Sequence, residues 1–359
     1  MIRHTINLKE RSYPIFITAG FEEFGKSLLS LRTGKKAIII TDENVDKHYS
    51  DICINELENN GFEVYKYVIK AGEENKTLET VNGIYHKLIE YKFDRTSLLI
   101  ALGGGVVGDI SGFAAATYMR GIHYVQVPTT LLSQADSSVG GKTGVDFQGH
   151  KNIIGAFYQP KLVFINVGTI KTLPKREISA GLAEVVKHGL ISDAEYCEYI
   201  NYNAQKIFKF DENVLQYLAK QNCSIKGRVV EEDEKEDGLR AILNFGHTIG
   251  HAIETVENFK LLHGECVAIG IVGAYRLAMY LDVVTEAMVE EVKAILLKLE
   301  LPVSLPGLDV DKVYNQIFYD KKVKDNKLNF ILPRKIGEVF QCNIENSELI
   351  KKVLCDLSK

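Results

Sequence analysis

The sequence predicts an α/β protein, with an N-terminal parallel-sheet domain followed by a mostly α-helical one. The first observation behind this is an alternation. The runs KKAIIIT (35–41), EVYKYVI (63–69), SLLIAL (97–102), YVQVP (124–128) and LVFIN (162–166) are strand-like, and helical periodicity lies between them around 44–60, 76–91 and 106–119. Such alternation builds a parallel sheet flanked by crossover helices. The second is the opening pair TINL and YPIFIT, which suits two strands ahead of the first βα unit. The third is a change of pattern after Leu173-Pro174-Lys175. REISAGLAEVVKHGLI, NVLQYLAKQNCSIKGRVV, RAILNFGHTIGHAIETV, ECVAIGIVGAYRLAMYL and EAMVEEVKAILLKL all carry helical spacing, and only KLNFIL (327–332) and EVF (338–340) look like strands. Pro174 is the natural boundary, giving domains 1–174 and 175–359.

Two domains also suit a chain of 359 residues, too long for one small core. Its 46% hydrophobic and 25% charged residues are those of a globular protein, and no apolar run reaches the ~18 residues of a membrane helix. Neither a signal peptide nor a membrane partner is expected, and the expected location is cytoplasmic. The six cysteines show no CxxC pairing and read as reduced thiols. A net charge of −4 gives no reason to expect nucleic acid, so any anion must be held by local clusters.

Two stretches are built for such clusters. ALGGGVVGD (101–109) follows a strand and opens a helical pattern, and its glycines let backbone amides approach a pyrophosphate. It follows about the third strand of the sheet, however, and lacks the acidic residue expected ~20 positions on, so it departs from the usual dinucleotide arrangement. The bland alternative is a tight strand-to-helix turn. SSVGGKTGVD (137–146) resembles an ATP-binding phosphate loop, but Asp136 stands where that motif needs glycine. Gly140, Gly141, Lys142 and Thr143, with Lys151 and Asn152 close behind, still suit an anion; a solvated basic loop is the alternative.

His247, His251 and His263 lie within seventeen residues of a chain that has nine histidines. HxxxH spacing puts the first two on one helical face, and imidazoles with a carboxylate suit a transition metal. The motif is not HExxH, since Thr248 occupies the glutamate position, so the zinc-protease reading loses its general base. In GLAEVVKHG, Glu184, Lys187 and His188 share a helical face, and Glu184 with two histidines would leave open metal positions. His188, Glu265 and Cys266 are competing ligands, and spacing alone does not choose among them.

Taken together, GGGVVGD, DSSVGGKTGVD with the following HKN, GLAEVVKHG, LRAILNFGHTIGHAIE and HGECVAIG resemble the 3-dehydroquinate synthase family of sugar phosphate cyclases, in register from about 41 to 320. The resemblance implies a Rossmann-like NAD domain, a helical metal domain carrying zinc or cobalt, and a homodimer. It also implies conversion of 3-deoxy-D-arabino-heptulosonate 7-phosphate to 3-dehydroquinate and phosphate in the shikimate pathway. The implied steps are transient NAD-dependent oxidation, phosphate elimination, re-reduction and intramolecular aldol closure.

Carried over residue by residue, the resemblance makes Glu184, His247 and His263 the metal ligands and gives His251 to substrate chemistry. It places Asp136, Lys142, Lys151, Asn152, Lys187, Lys226, Arg240, Asn244 and one or both of Lys321 and Lys322 in the substrate pocket, with Arg120 reaching across the dimer interface. Lys142, Asn152, the 321/322 lysine and Arg120 are expected at the phosphate; Lys226, Arg240 and Asn244 are expected at the carboxylate and its adjacent hydroxyl. For NAD it implies Asp42, Asn44, Glu73, Lys76, Gly104, Gly105, Val106, Val107, Gly108, Asp109, Thr129, Thr130, Lys142, Lys151, Thr169, Ile170, Lys171 and Thr172. The family often has aspartate where this chain has Ala71, a departure that leaves Glu73 and Lys76 in place. The rival readings are another sugar phosphate cyclase, a metal-dependent polyol dehydrogenase with net NAD turnover, and a binding module with a vestigial site.

Overall fold

A computed structural model describes residues 1–236, 238–320 and 328–359. The strands are β1 (Ile2–Ile6), β2 (Tyr13–Thr18), β3 (Lys36–Asp42), β4 (Glu63–Ile69), β5 (Leu98–Gly103), β6 (His123–Pro128), β7 (Lys142–Phe147), β8 (His150–Phe157), β9 (Leu162–Asn166), β10 (Leu328–Lys335) and β11 (Glu338–Ile344). The helices are α1 (Phe24–Leu29), α2 (Glu43–Val45), α3 (Asp51–Glu58), α4 (Leu78–Glu90), α5 (Gly105–Thr117), α6 (Lys175–Ser192), α7 (Ala194–Phe208), α8 (Glu212–Glu232), α9 (His247–Val256), α10 (His263–Tyr280), α11 (Glu286–Lys298), α12 (Val310–Asp320) and α13 (Ser347–Leu357). They fall into two compact units: Met1–Leu173 with Phe210–Glu231, and Pro174–Lys209 with Glu232–Lys359. Helix α8, which follows Pro174 in sequence, thus packs almost entirely with the first unit.

The first unit is built on a seven-stranded sheet in the order β1-β2-β9-β6-β5-β3-β4. Only the β1–β2 pair is antiparallel; β2–β9, β9–β6, β6–β5, β5–β3 and β3–β4 all run parallel. Both faces are buried, which explains why these strands read as unbroken apolar runs. Ile38, Ile40, Leu99 and Ala101 enter one core cluster, while Ala37, Ile39, Leu98 and Ile100 enter the other, following the two-residue strand period. The chain leaves β3 for β4 on one side and reaches β5 on the other, so a crevice opens between the carboxyl ends of β3 and β5.

Local structure differs from the sequence pattern in three places. The segment after Gly140, expected as an anion loop, is the antiparallel hairpin β7–β8, with a register shift between Val145 and Phe147. Glycines made it look like a loop; in fact Gly144 and Gly155 allow the two strands to approach closely. The stretch RAILNFGHTIGHAIETV is not one helix but a tight 3₁₀ segment (Leu239–Asn244) followed by α9. Gly246, at φ +77°, makes the break. The segment 44–60 is likewise divided, with a wide turn at Asp46–Ser50 between α2 and α3. In the second unit α7, α12 and α13 join the helices expected from the pattern, and β10–β11 form the late strand pair.

Candidate active site

In the second unit three helices bring one carboxylate and three imidazoles together. Glu184 sits mid-way along α6, His247 begins α9 and His263 begins α10. Close helix contact makes this possible. A Cβ on Gly264 would lie 1.9 Å from the Ala180 carbonyl of α6, and one on Gly270 would lie 1.9 Å from the Gly246 carbonyl. The imidazole centroids of His247, His251 and His263 are 5.0–5.7 Å apart. Glu184, only 1% exposed, places Oε1 3.5 Å from Nε2 of both His247 and His263.

The outer ring nitrogens settle the tautomers. His247 Nδ1 lies 3.0 Å from the Phe245 carbonyl and must donate to it, leaving Nε2 with a lone pair. His263 Nδ1 faces the Glu254 carboxylate at 3.7 Å, which favours a proton on that nitrogen. Both Nε2 atoms therefore converge on one oxygen with their outer nitrogens engaged, the usual support of a metal-ligating histidine. Burial opposes charge on Glu184, but Lys187, His247 and His263 outweigh it and hold the carboxyl well below its usual range. Burial, reinforced by Lys187, pushes His247 well below the ordinary imidazole value. His263 is carried up to about 9, since Glu184 and Glu254 overcome its burial. This donor set of one carboxylate and two or three imidazoles fits a divalent transition metal, whose binding would displace the His263 proton.

Two of the competing ligands, Glu265 and Cys266, fall elsewhere. Glu265 accepts from Arg176 Nε and Nη2 at 2.6 Å each and from the Leu262 amide at 2.8 Å. It closes the start of α10 as a cap instead of serving as a ligand. Cys266 is fully buried one turn into α10. His188, fully buried in α6, lies outside the histidine cluster but places a ring nitrogen within 4.8 Å of a Glu184 carboxylate oxygen, so it stays beside the site. Sequence reasoning missed Glu254, although its signal was present: it stands seven residues after His247 and three after His251, on the same helical stripe.

The buried cations of the second unit lie near acidic partners. Lys187 is 2% exposed and contacts the Glu184 carboxylate. Arg240 is also 2% exposed; its Nη1 donates to the Glu234 carbonyl, and its amide donates to Asp233 at 2.9 Å. Asn244 Nδ2 donates to Glu236 at 3.2 Å. Lys321 and Lys322 lie outside the described residues.

In the first unit nearly all the residues expected at NAD follow the carboxyl ends of parallel strands. Asp42 ends β3; Glu73 and Lys76 follow β4; Gly104 to Asp109 follow β5; Thr129 and Thr130 follow β6; and Thr169 to Thr172 form a 3₁₀ turn after β9. In open α/β sheets this edge is where ligands bind. The Asp42 Oδ1 caps the next turn, accepting from Asn44 and Val45 amides at 2.8 and 3.1 Å. Thr129 Oγ1 is buried beside the glycine loop with no hydrogen-bond partner among the described residues, and a Cβ on Gly104 would press on Thr130. A polar group approaching this glycine loop closely would find both a donor and room, so the crevice fits a dinucleotide. Lys142, Lys151 and Asn152 lie exposed on the β7–β8 hairpin, and Arg120 (φ +64°) on the turn after α5. Lys226, on α8, donates to the Asp136 carbonyl at 2.6 Å and pairs with its carboxylate at 2.8 Å.

Comparison with known proteins agrees with this arrangement. Residues 66–180 match the family model 3-dehydroquinate synthase N-terminal, and 181–323 match 3-dehydroquinate synthase C-terminal. A 3-dehydroquinate synthase of Ruminiclostridium cellulolyticum is 77% identical over 358 residues, covering 100% of both chains. Among solved structures, a 2-deoxy-scyllo-inosose synthase complexed with carbaglucose-6-phosphate, NAD⁺ and Co²⁺ superposes with TM-score 0.90 at 26% identity, over 99% of this chain and 100% of that one. A 2-epi-5-epi-valiolone synthase from Streptomyces hygroscopicus with NAD⁺ and Zn²⁺ bound gives 0.90 at 29% identity, over 98% of both. A parallel sheet with a glycine crevice, a carboxylate between two oriented imidazoles and full-length similarity lead to one assignment: the chain belongs to the 3-dehydroquinate synthase family.

Proposed function

We propose that this protein is a 3-dehydroquinate synthase, a carbon–oxygen lyase that converts 3-deoxy-D-arabino-heptulosonate 7-phosphate to 3-dehydroquinate and phosphate with NAD returned unchanged. The observation that carries the reading is the approach of Glu184 Oε1 to Nε2 of both His247 and His263 at 3.5 Å, in a chain 77% identical to a relative of that name. Glu184, His247 and His263 would hold a divalent ion, Co²⁺ and Zn²⁺ being the ions bound in the two cyclase structures above. When bound, the ion supplies Lewis acidity toward a substrate hydroxyl, and NAD⁺ supplies a reversible hydride acceptor.

The chain's own residues bind, orient and move protons. His251, third member of the imidazole cluster, is assigned to substrate proton transfer at a ring nitrogen. Lys187 adds a buried positive charge beside Glu184, which favours an ionised substrate oxygen there. Arg240, Lys226 and Asn244 are assigned to the carboxylate and adjacent hydroxyl, Arg240 being suited to a two-pronged grip. Lys142, Asn152 and Arg120 are assigned to the phosphate. Holding the substrate in one conformer favours ring closure over competing reactions. For NAD, the strand-end residues from Asp42 to Thr172 are assigned as above, and the β3/β5 crevice supports that placement.

A homodimer is part of the reading. Ile153 and Phe157 are 63% and 49% exposed on the same face of β8, with Phe147 43% exposed beside them, a patch suited to burial by a second copy. Arg120, on the neighbouring turn, would then serve the partner's phosphate site. No described helix is long and apolar enough to cross a membrane, and a cytoplasmic location is proposed.

The test is phosphate release from the heptulosonate phosphate, with and without a chelator. Stoichiometric phosphate without net NADH, abolished by the chelator and restored by zinc, is the expected result. Sustained NADH accumulation would indicate a polyol dehydrogenase instead.

A further inference from the structure

Lys76 is a buried ammonium at the centre of a small network. Its side chain is 5% exposed, and its Nζ donates to Asp109 Oδ2 at 2.6 Å and to Asn152 Oδ1 at 2.5 Å. Glu73 stands 4.0 Å away. The Lys76 carbonyl accepts from the Asp146 amide at 2.8 Å, and the Asp146 carboxylate accepts from the Asn152 amide at 2.8 Å. Both the backbone and the side chain of Asn152 are therefore tied to the Lys76 segment. The backbone at Asn152 is left-handed, with φ +52°, a conformation asparagine adopts more readily than most side-chain-bearing residues, and these bonds fix it there.

A carboxamide has one accepting and one donating end, and either can face outward. An ammonium only donates, so Lys76 captures the oxygen and leaves the two N–H groups of Asn152 to face outward. Lys76 keeps its proton, since Asp109, Glu73 and Asp146 outweigh the burial that opposes its charge. We propose that Lys76 is a positioning residue that fixes Asn152 as a pure hydrogen-bond donor for the phosphate end of the substrate. Through Asp109, in the first turns of α5, the same ammonium joins that donor to the glycine loop. This rests on the assignment of Asn152 to phosphate made above.

The experiment measures KM, kcat and competitive inhibition by inorganic phosphate for the full-length, NAD- and zinc-loaded protein. The variants are N152A, N152D, K76M and K76M/N152A, each assayed at saturating NAD because Lys76 is also assigned to NAD, with NAD affinity measured for each and circular dichroism as the control; K76Q replaces K76M if K76M does not fold. Loss of a hydrogen bond to a charged group predicts roughly tenfold weaker phosphate inhibition and higher KM in N152A, with a smaller change in kcat. K76M should weaken phosphate inhibition similarly, and the double variant no more than the worse single, because one residue acts through the other. N152D keeps the Lys76 contact but presents an acceptor to an anion, so it should bind phosphate more weakly than N152A at unchanged NAD affinity. An unaffected N152A would refute the phosphate assignment of Asn152 itself. If N152A is weakened but K76M is not, or the two effects multiply, the role of Lys76 is refuted. Wild-type phosphate binding by N152D would refute the donor polarity.

Discussion

His263 turns its Nδ1 toward the Glu254 carboxylate at 3.7 Å while its Nε2 points at Glu184. Glu254 is 6% exposed and lies on α9, one helix away from the ring it orients. Outer partners of this kind typically contribute roughly 10–100-fold to metal affinity. Glu254→Gln should therefore weaken zinc binding by about that factor, measured by competition with a chromophoric chelator, with little change in fold. Unchanged affinity would show that Glu184 alone holds the ring.

Replacing either metal-assigned histidine should differ from replacing the middle one. His247→Ala and His263→Ala should purify without stoichiometric metal, whereas His251→Ala should retain it and turn over slowly. Elemental analysis of the three proteins decides the matter. Equal metal loss in all three would move His251 into the ligand set.

Gly264→Ala tests the close approach of α10 to α6. The new methyl would collide with the backbone oxygen of Ala180, and overpacking of this kind costs on the order of 1–3 kcal/mol. A melting temperature lowered by several degrees, together with weakened zinc binding, is expected. A variant with unchanged melting and metal affinity would show that α10 shifts at no cost.

The cysteines offer a check on burial. Burial pushes Cys197 and Cys223 up to about 12, and Cys53 is raised by the same cause, so none forms appreciable thiolate at neutral pH. Cys355 is exposed and Cys342 half-buried. A disulfide reagent at pH 8 should modify these two in the native protein and all six in denaturant. Because their shifts are upward, raising the pH to 9 should not recruit Cys53, Cys197 or Cys223, and Cys266 is shielded by its burial; rapid modification of any of these four would show that its unit opens readily.

Much of the fold was legible because both faces of the main sheet are buried, which makes β3, β5 and β9 unbroken apolar runs between helical segments. The β7–β8 hairpin was not legible. Its strands carry Gly144 and Gly155, its turn carries Gly149, and most of β8 is exposed, so hydrophobic alternation is weak. The break at Gly246 was hidden because the helical spacing of RAILNFGHTIGHAIETV runs through it, and only a left-handed φ reveals the stop. In the site, i,i+4 spacing placed His247 and His251 together but left their roles open. The distances to Glu184 come from α6, α9 and α10 packing, which no local pattern encodes. Glu265 looked like a ligand because it neighbours His263; its two bonds to Arg176, eighty-nine positions earlier in the chain, take it away.

The bare backbone contacts at Gly264 and Gly270 have a consequence for how the ion comes and goes. With no side chain between them, α10 packs backbone against backbone on its neighbours, which leaves it little room to shift. The ligands are thus held in register by the scaffold and not by the ion. Zinc and cobalt should exchange at one preformed seat without any refolding step.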